Sequence, residues 1–190
     1  MIKFRLFDID FSLNFTFFAV IAIIEVLSHN LILIFSTSCL IHELGHITAI
    51  YLFNGRIKAV NFSGTGIRIT PDKSRYIAEI YEIIILLAGP CANIFFFIFL
   101  KIFLPDCENF AILNLSLAIF NLLPFTFLDG GSIISCLLSL LVPDSDNRFI
   151  LRCIAAFILI SCIFASFFTE ITISLVSVIA ICCITEIFFD

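Results

Sequence analysis

Residues 31–53 read LILIFSTSCLIHELGHITAIYLF, with His42-Glu43-Leu44-Gly45-His46 in the middle of the apolar run. On a helix the two histidines, four residues apart, project from one face. Both imidazoles can then reach one zinc ion while Glu43 meets the water to be activated. In a soluble helix the same pentapeptide often marks only a solvated face. Inside a membrane helix that reading is expensive, because each ionisable residue at the centre costs about 2.5 to 3.5 kcal/mol. Three such residues within five positions need a purpose.

Composition sets the surroundings. Of 190 residues 62% are hydrophobic and 13% charged, 25 are Phe, and mean hydropathy is +1.20. These values describe an integral membrane protein embedded in a lipid bilayer. Asp8 and Asp10 interrupt the start, and no small-residue cleavage site follows the first apolar run, so the first span is expected to be retained. A net charge of -5 without a dense basic run argues against nucleic acid as a partner. The eight cysteines form no CxxC pair and fall mostly in apolar stretches, as packing thiols do. Nothing in the sequence sets an oligomeric state.

With about 20 apolar residues needed per crossing, six spans follow. They are Phe11 to Leu27, Leu31 to Phe53, Ile77 to Leu104, Phe110 to Leu141, Phe149 to Phe168 and Ile171 to Phe189. The fourth is too long for one straight helix. It contains Asn121, Pro124 and Asp129-Gly130-Gly131, which predict two helical halves around an unwound segment. With six crossings and both termini cytoplasmic, nine of the ten basic residues share the inner side and only Lys101 falls outside. His46 then lies about 10 Å from the cytoplasmic end of its helix. The expected fold is an all-α polytopic membrane protein of six transmembrane helices. It forms one membrane-embedded domain over 1–190, with a catalytic core over about 11–142 and two further spans over 149–189.

A small surface sheet completes the expectation. Alternation from Ile57 to Phe62, a turn at Ser63-Gly64-Thr65-Gly66 and an extended Ile67-Arg68-Ile69 predict a β-hairpin. Ile2 to Leu6 alternates likewise and is a candidate third strand. Such a sheet suits strand addition by an extended substrate, or simply closes the loop.

A hydrolytic zinc site needs a third protein ligand and one open position. His29, between spans one and two, is remote from His46 and reads as an interface residue. Glu79 and Glu82 could form a ligand pair, but read more readily as an acidic interfacial face near Lys73 and Arg75. Asp129 would also serve as the N-cap of a helix starting at Gly130. That role does not explain an Asp, an Asn and two glycines gathered in one apolar span.

The sequence resembles the site-2 proteases, zinc metalloproteases that cut substrates within the membrane. Three pieces carry the resemblance in order: HELGH at 42–46, Gly89-Pro90-Cys91-Ala92-Asn93 as GPxxN, and NLLPFTFLDGG from Asn121 to Gly131. The layout is most similar to the sporulation pro-sigma-factor processing branch in a bacterial cell membrane, without the CBS domain that branch carries. Phe127 stands where the family commonly has Pro. The resemblance implies one zinc per chain held by His42, His46 and Asp129, with Glu43 as general base and Asn121 touching substrate or the oxyanion. It also implies hydrolysis of a peptide bond in or near a transmembrane segment of a membrane protein substrate, as in regulated intramembrane proteolysis. Ser36, Thr37, Asn114 and Ser116 are candidates for a water path, although bonding to their own helix is the commoner role. A catalytically inactive membrane scaffold is the rival reading. A transporter is the other, and it would retain Glu25, Glu79, Glu82 and Asp129 but has no need of HExxH.

Overall fold

The structure is a computed structural model describing residues 1–6, 9–19, 22, 31–63, 66–71, 78–142, 146–166 and 173–188. The chain divides into two compact units, Met1–Phe120 and Asn121–Asp190.

In the first unit, strands β1 (Ile2–Leu6), β2 (Ile9–Leu13), β3 (Ile57–Ser63) and β4 (Gly66–Pro71) form one sheet in the order β1-β2-β3-β4. Helices α1 (Leu31–Leu52) and α2 (Glu79–Phe103) join it, followed by α3 (Glu108–Asn121) up to Phe120. β3 and β4 make the expected hairpin, closing at Ser63 and Gly66. The third strand differs from expectation. Ile9–Leu13, not Ile2–Leu6, lies beside the hairpin, parallel to β3, and Ile2–Leu6 is a fourth strand outside it. Phe11 to Leu13, assigned from hydropathy to the first span, therefore belong to the sheet. A parallel pair needs a long crossover. That crossover carries α1, and with it the HELGH sequence.

Register explains the alternation. Phe4, Phe11, Val60 and Ile69 pair in one row, and Phe11, Val60 and Ile69 pack into an apolar core with Ile57 of β3, Ala49 and Ile50 of α1 and Ile85 of α2. Lys3, Ser12, Asn61 and Arg68 form the neighbouring row, in which the Ser12 hydroxyl donates to Asn61 Oδ1. Asn54 ends α1 in the left-handed region (φ 56°), where Gly55 N–H reaches the Ile50 carbonyl at 2.8 Å. The cap turns the chain directly into β3, which fixes the C-terminal end of the histidine helix against the sheet.

Among the described residues two helices are long and apolar enough to cross a membrane, over Leu33–Leu52 and Glu79–Phe103. Only 28% and 22% of their apolar windows are buried by the protein, so most of that surface, including Leu33, Leu44, Phe95 and Ile102, faces outward. The second and third expected spans thus match α1 and α2 closely. Residues 23–30, with Glu25 and His29, lie outside the described residues.

In the second unit, the chain leaves α3 at Asn121, runs through a non-helical segment over 122–128, and enters α4 (Asp129–Leu141). The fourth region is therefore two helices around an unwound link, as its Pro and Gly content predicts. α5 (Asn147–Ser166) and α6 (Ile173–Phe188) follow and pack together. Asn147 ties the start of α5 to α4 through the Ser135 carbonyl (3.1 Å) and the Ser139 hydroxyl (3.0 Å).

Candidate metal centre

Ser38, His42, His46, Ala49 and Ile50 form the buried stripe of α1, recurring at helical spacing. The imidazoles of His42 and His46 are edge to face, and their Nε2 atoms stand 3.1 Å apart. Nδ1 of His46 lies 2.8 Å from the Ile85 carbonyl of α2. A carbonyl can only accept, so this contact places the ring proton on Nδ1 and leaves the Nε2 lone pair for a metal. Two zinc–nitrogen bonds of about 2.05 Å reaching nitrogens 3.1 Å apart would enclose roughly 100°, close to a tetrahedral angle. The pair fits zinc.

The neighbouring helix makes room for it. A Cβ on Gly89 would lie 2.6 Å from His46 Cε1 and 2.9 Å from His42 Cε1, so only glycine lets α2 pass beneath both rings. Gly45 has the matching role on α1, where a Cβ would meet the Ala88 backbone and come within 2.9 Å of Ala92 Cβ. Pro90 removes the N–H that would pair with the Leu86 carbonyl and weakens the ladder of the turn that offers Ile85 to His46. Glycine and proline of the GPxxN stretch thereby acquire physical roles. Its Asn93 is fully buried, and neither amide atom has a hydrogen-bond partner among the described residues. Glu43, next to His42 in sequence, is half-buried.

In the second unit Asn121 is the last residue of α3 and Asp129 the first of α4, both half-buried, with Oδ2 of Asp129 fully buried. Leu128, not Asp129, holds the cap position and makes no side-chain cap hydrogen bond, so Asp129 is not the N-cap of α4. Asp129 instead sits in the first turn, where the helix dipole favours a carboxylate. Gly130 and Gly131 let the link fold over this turn. A Cβ on Gly130 would overlap the Leu122 carbonyl, and one on Gly131 would overlap the Phe125 carbonyl and lie 2.8 Å from Thr126 N. The link is further fixed by Glu186 of α6, whose Oε2 accepts from Thr126 N–H (2.8 Å) and from the Thr126 hydroxyl (2.9 Å). Glu186 carries no motif, and reading the sequence for metal ligands passes over it. The signal that marks it is an acid inside an apolar run.

Glu79 and Glu82 lie in the first turn of α2, where acidic side chains complement the helix dipole, and Lys73 and Arg75 lie outside the described residues. Thr37 and Asn114 bond to the carbonyls of Leu33 (2.7 Å) and Phe110 (2.9 Å), the intrahelical role expected of such groups. Lys101 pairs with Glu108 at 2.8 Å, and this hydrogen bond, with the adjacent positive charge, holds the Glu108 carboxyl below its ordinary range. No disulfide occurs among the described residues.

Comparison with known proteins bears on the family and the fold. The family model of Peptidase family M50 matches residues 107–164, which include the Asn121 to Gly131 stretch but not HELGH. Among solved structures the chain is similar to the Site-2 Protease from Methanocaldococcus jannaschii, with a TM-score of 0.67 and 22% identity over 98% of this chain and 94% of that one. No curated protein matches. The matched family is a peptidase family and the fold is that of a site-2 protease, so the resemblance drawn from the three sequence pieces is supported.

Proposed function

We propose that this chain is a multi-pass intramembrane zinc metalloprotease of the site-2 protease family. It hydrolyses a peptide bond in or near a transmembrane segment of a membrane protein substrate. The observation that carries the reading is the buried Nε2 pair of His42 and His46 on an apolar helix, with His46 oriented by the Ile85 carbonyl. The proposal assigns one zinc per chain to His42 and His46 of the first unit and Asp129 of the second, on the chemistry of these side chains. Two neutral imidazoles and a carboxylate leave one position open, as hydrolytic zinc sites require.

Zinc, when bound, supplies Lewis-acid polarisation of the scissile carbonyl and makes a water acidic enough to lose its proton near neutral pH. Glu43 accepts that proton and returns it to the leaving amine. Asn121 donates a hydrogen bond to the oxyanion or to the substrate backbone. A helical substrate hides its carbonyls in its own hydrogen bonds and must unwind locally before attack. The exposed apolar faces of α1 and α2 fit a bilayer, in which the proposal places six crossings, both termini cytoplasmic, and the site in the inner half.

The test uses the full chain in detergent or vesicles, with zinc content and cleavage of a co-reconstituted membrane substrate both measured. Glu43→Gln should keep zinc and bind substrate while cleavage falls about 10² to 10⁴-fold. Wild-type activity in that variant would sink the protease mechanism and leave the scaffold reading ahead.

A further inference from the structure

Glu186 is 1% exposed, lies on the buried face of α6 beside Cys182 and Cys183, and has no part in the chemistry assigned above. Its carboxylate reaches across 60 residues of sequence to take both donors of Thr126 on one oxygen. Thr126 stands in the middle of the non-helical link, three residues before Asp129. In that link few backbone groups have helical partners. Phe125 N–H turns back to Leu123 and Leu128 N–H to Phe125, both at 2.9 Å, while Thr126 N–H has Glu186. Gly131, in the first turn of α4, packs on the adjoining Phe125–Thr126 peptide: a Cβ there would overlap the Phe125 carbonyl and lie 2.8 Å from Thr126 N. A fixed Thr126 therefore fixes the first turn of the helix that begins with Asp129.

A neutral acceptor would satisfy one loop N–H at less desolvation cost than a carboxylate. Two bonds to one carboxylate oxygen do more, since together they lock both the backbone and the side chain of Thr126. Groups that orient metal ligands from behind typically change metal affinity 10 to 100-fold when removed.

We infer that Glu186 is a positioning residue: from the last helix it clamps the link at Thr126 and holds the Asp129 carboxylate ready for metal. This inference rests on the proposed zinc site. It makes α6 a working part of the metal centre rather than an accessory span.

The test measures zinc affinity of the full chain by competition with a chelator, alongside helix content and thermal unfolding. Glu186→Ala should weaken zinc about 10 to 100-fold. Thr126→Val, which keeps the N–H and the side-chain shape, should weaken it by roughly 3 to 10-fold, and Glu186→Gln, which keeps an acceptor, by less than Glu186→Ala. In an Asp129→Ala background, Glu186→Ala should produce no further loss. Unchanged affinity in both Glu186→Ala and Thr126→Val would overturn the inference, as would an equal loss from Glu186→Ala with and without Asp129. If Glu186→Ala does not fold, Thr126→Val and Glu186→Gln decide by the same readout. A wild-type chain that binds no zinc would instead overturn the proposed function and the inference with it.

Discussion

Replacing Gly89 with Ala tests the metal centre through a methyl group that touches no substrate. The added Cβ would lie 2.6 Å from His46 Cε1 and 2.9 Å from His42 Cε1. Carbon atoms pack at about 3.5 to 4.0 Å, so one or both rings must retreat by roughly 1 Å. Metal bonds tolerate only about 0.2 Å, and the 2.8 Å contact from His46 to Ile85 has little more slack. Overpacking costs about 1 to 3 kcal/mol, but Ala is favoured over Gly in a helix by about 1 kcal/mol, so the net loss of stability is roughly 0 to 2 kcal/mol. Zinc affinity should fall at least 10-fold while the thermal transition in detergent moves little. Gly45→Ala is the control. Its methyl would meet the backbone of Ala88, which cannot rotate away, so α1 and α2 must separate and thermal stability should fall before metal affinity does. Wild-type zinc affinity in Gly89→Ala would refute the placement of the two rings over α2, or their role as ligands.

Asp129→Ala should sharply reduce zinc occupancy measured by elemental analysis, whereas Glu79→Ala and Glu82→Ala should leave it at one per chain. The reverse pattern would move the third ligand to α2. Asn121→Ala should retain zinc and lower the cleavage rate about 10² to 10³-fold, and loss of zinc in that variant would show a structural role instead. Reporter fusions at Lys73 and after Asp190 should read cytoplasmic and one at Asp106 external. An external C-terminus would exclude six crossings.

Much of the candidate site is legible locally. The four-residue spacing of His42 and His46, the apolar length of the helix around them, and the Pro and Gly that break the fourth region are all properties of short segments. They predict α1, α2 and the link between α3 and α4 within a few residues, because helix length and helix breaking are decided mainly by neighbouring residues. The surface sheet is half legible for the same reason. Ile57 to Ile69 is a hairpin whose partners adjoin, and its turn is marked in the sequence. Ile9–Leu13 has the same alternation, but it merges into an apolar run, and its partner lies beyond α1. A five-residue segment is strand or helix according to what pairs with it.

By itself, then, the sequence determined which residues are candidates for metal binding and acid–base chemistry, that they lie in apolar stretches, and where the chain unwinds. The tertiary structure decided the contacts that orient them. It set the Ile85 carbonyl behind His46, the bare Cα of Gly89 beneath both rings, the parallel pairing of β2 with β3, and the hold of Glu186 on Thr126. These contacts join residues 39 to 60 positions apart, and several use backbone atoms that every residue possesses. A backbone carbonyl or a missing side chain leaves no signature in a sequence until folding brings something against it.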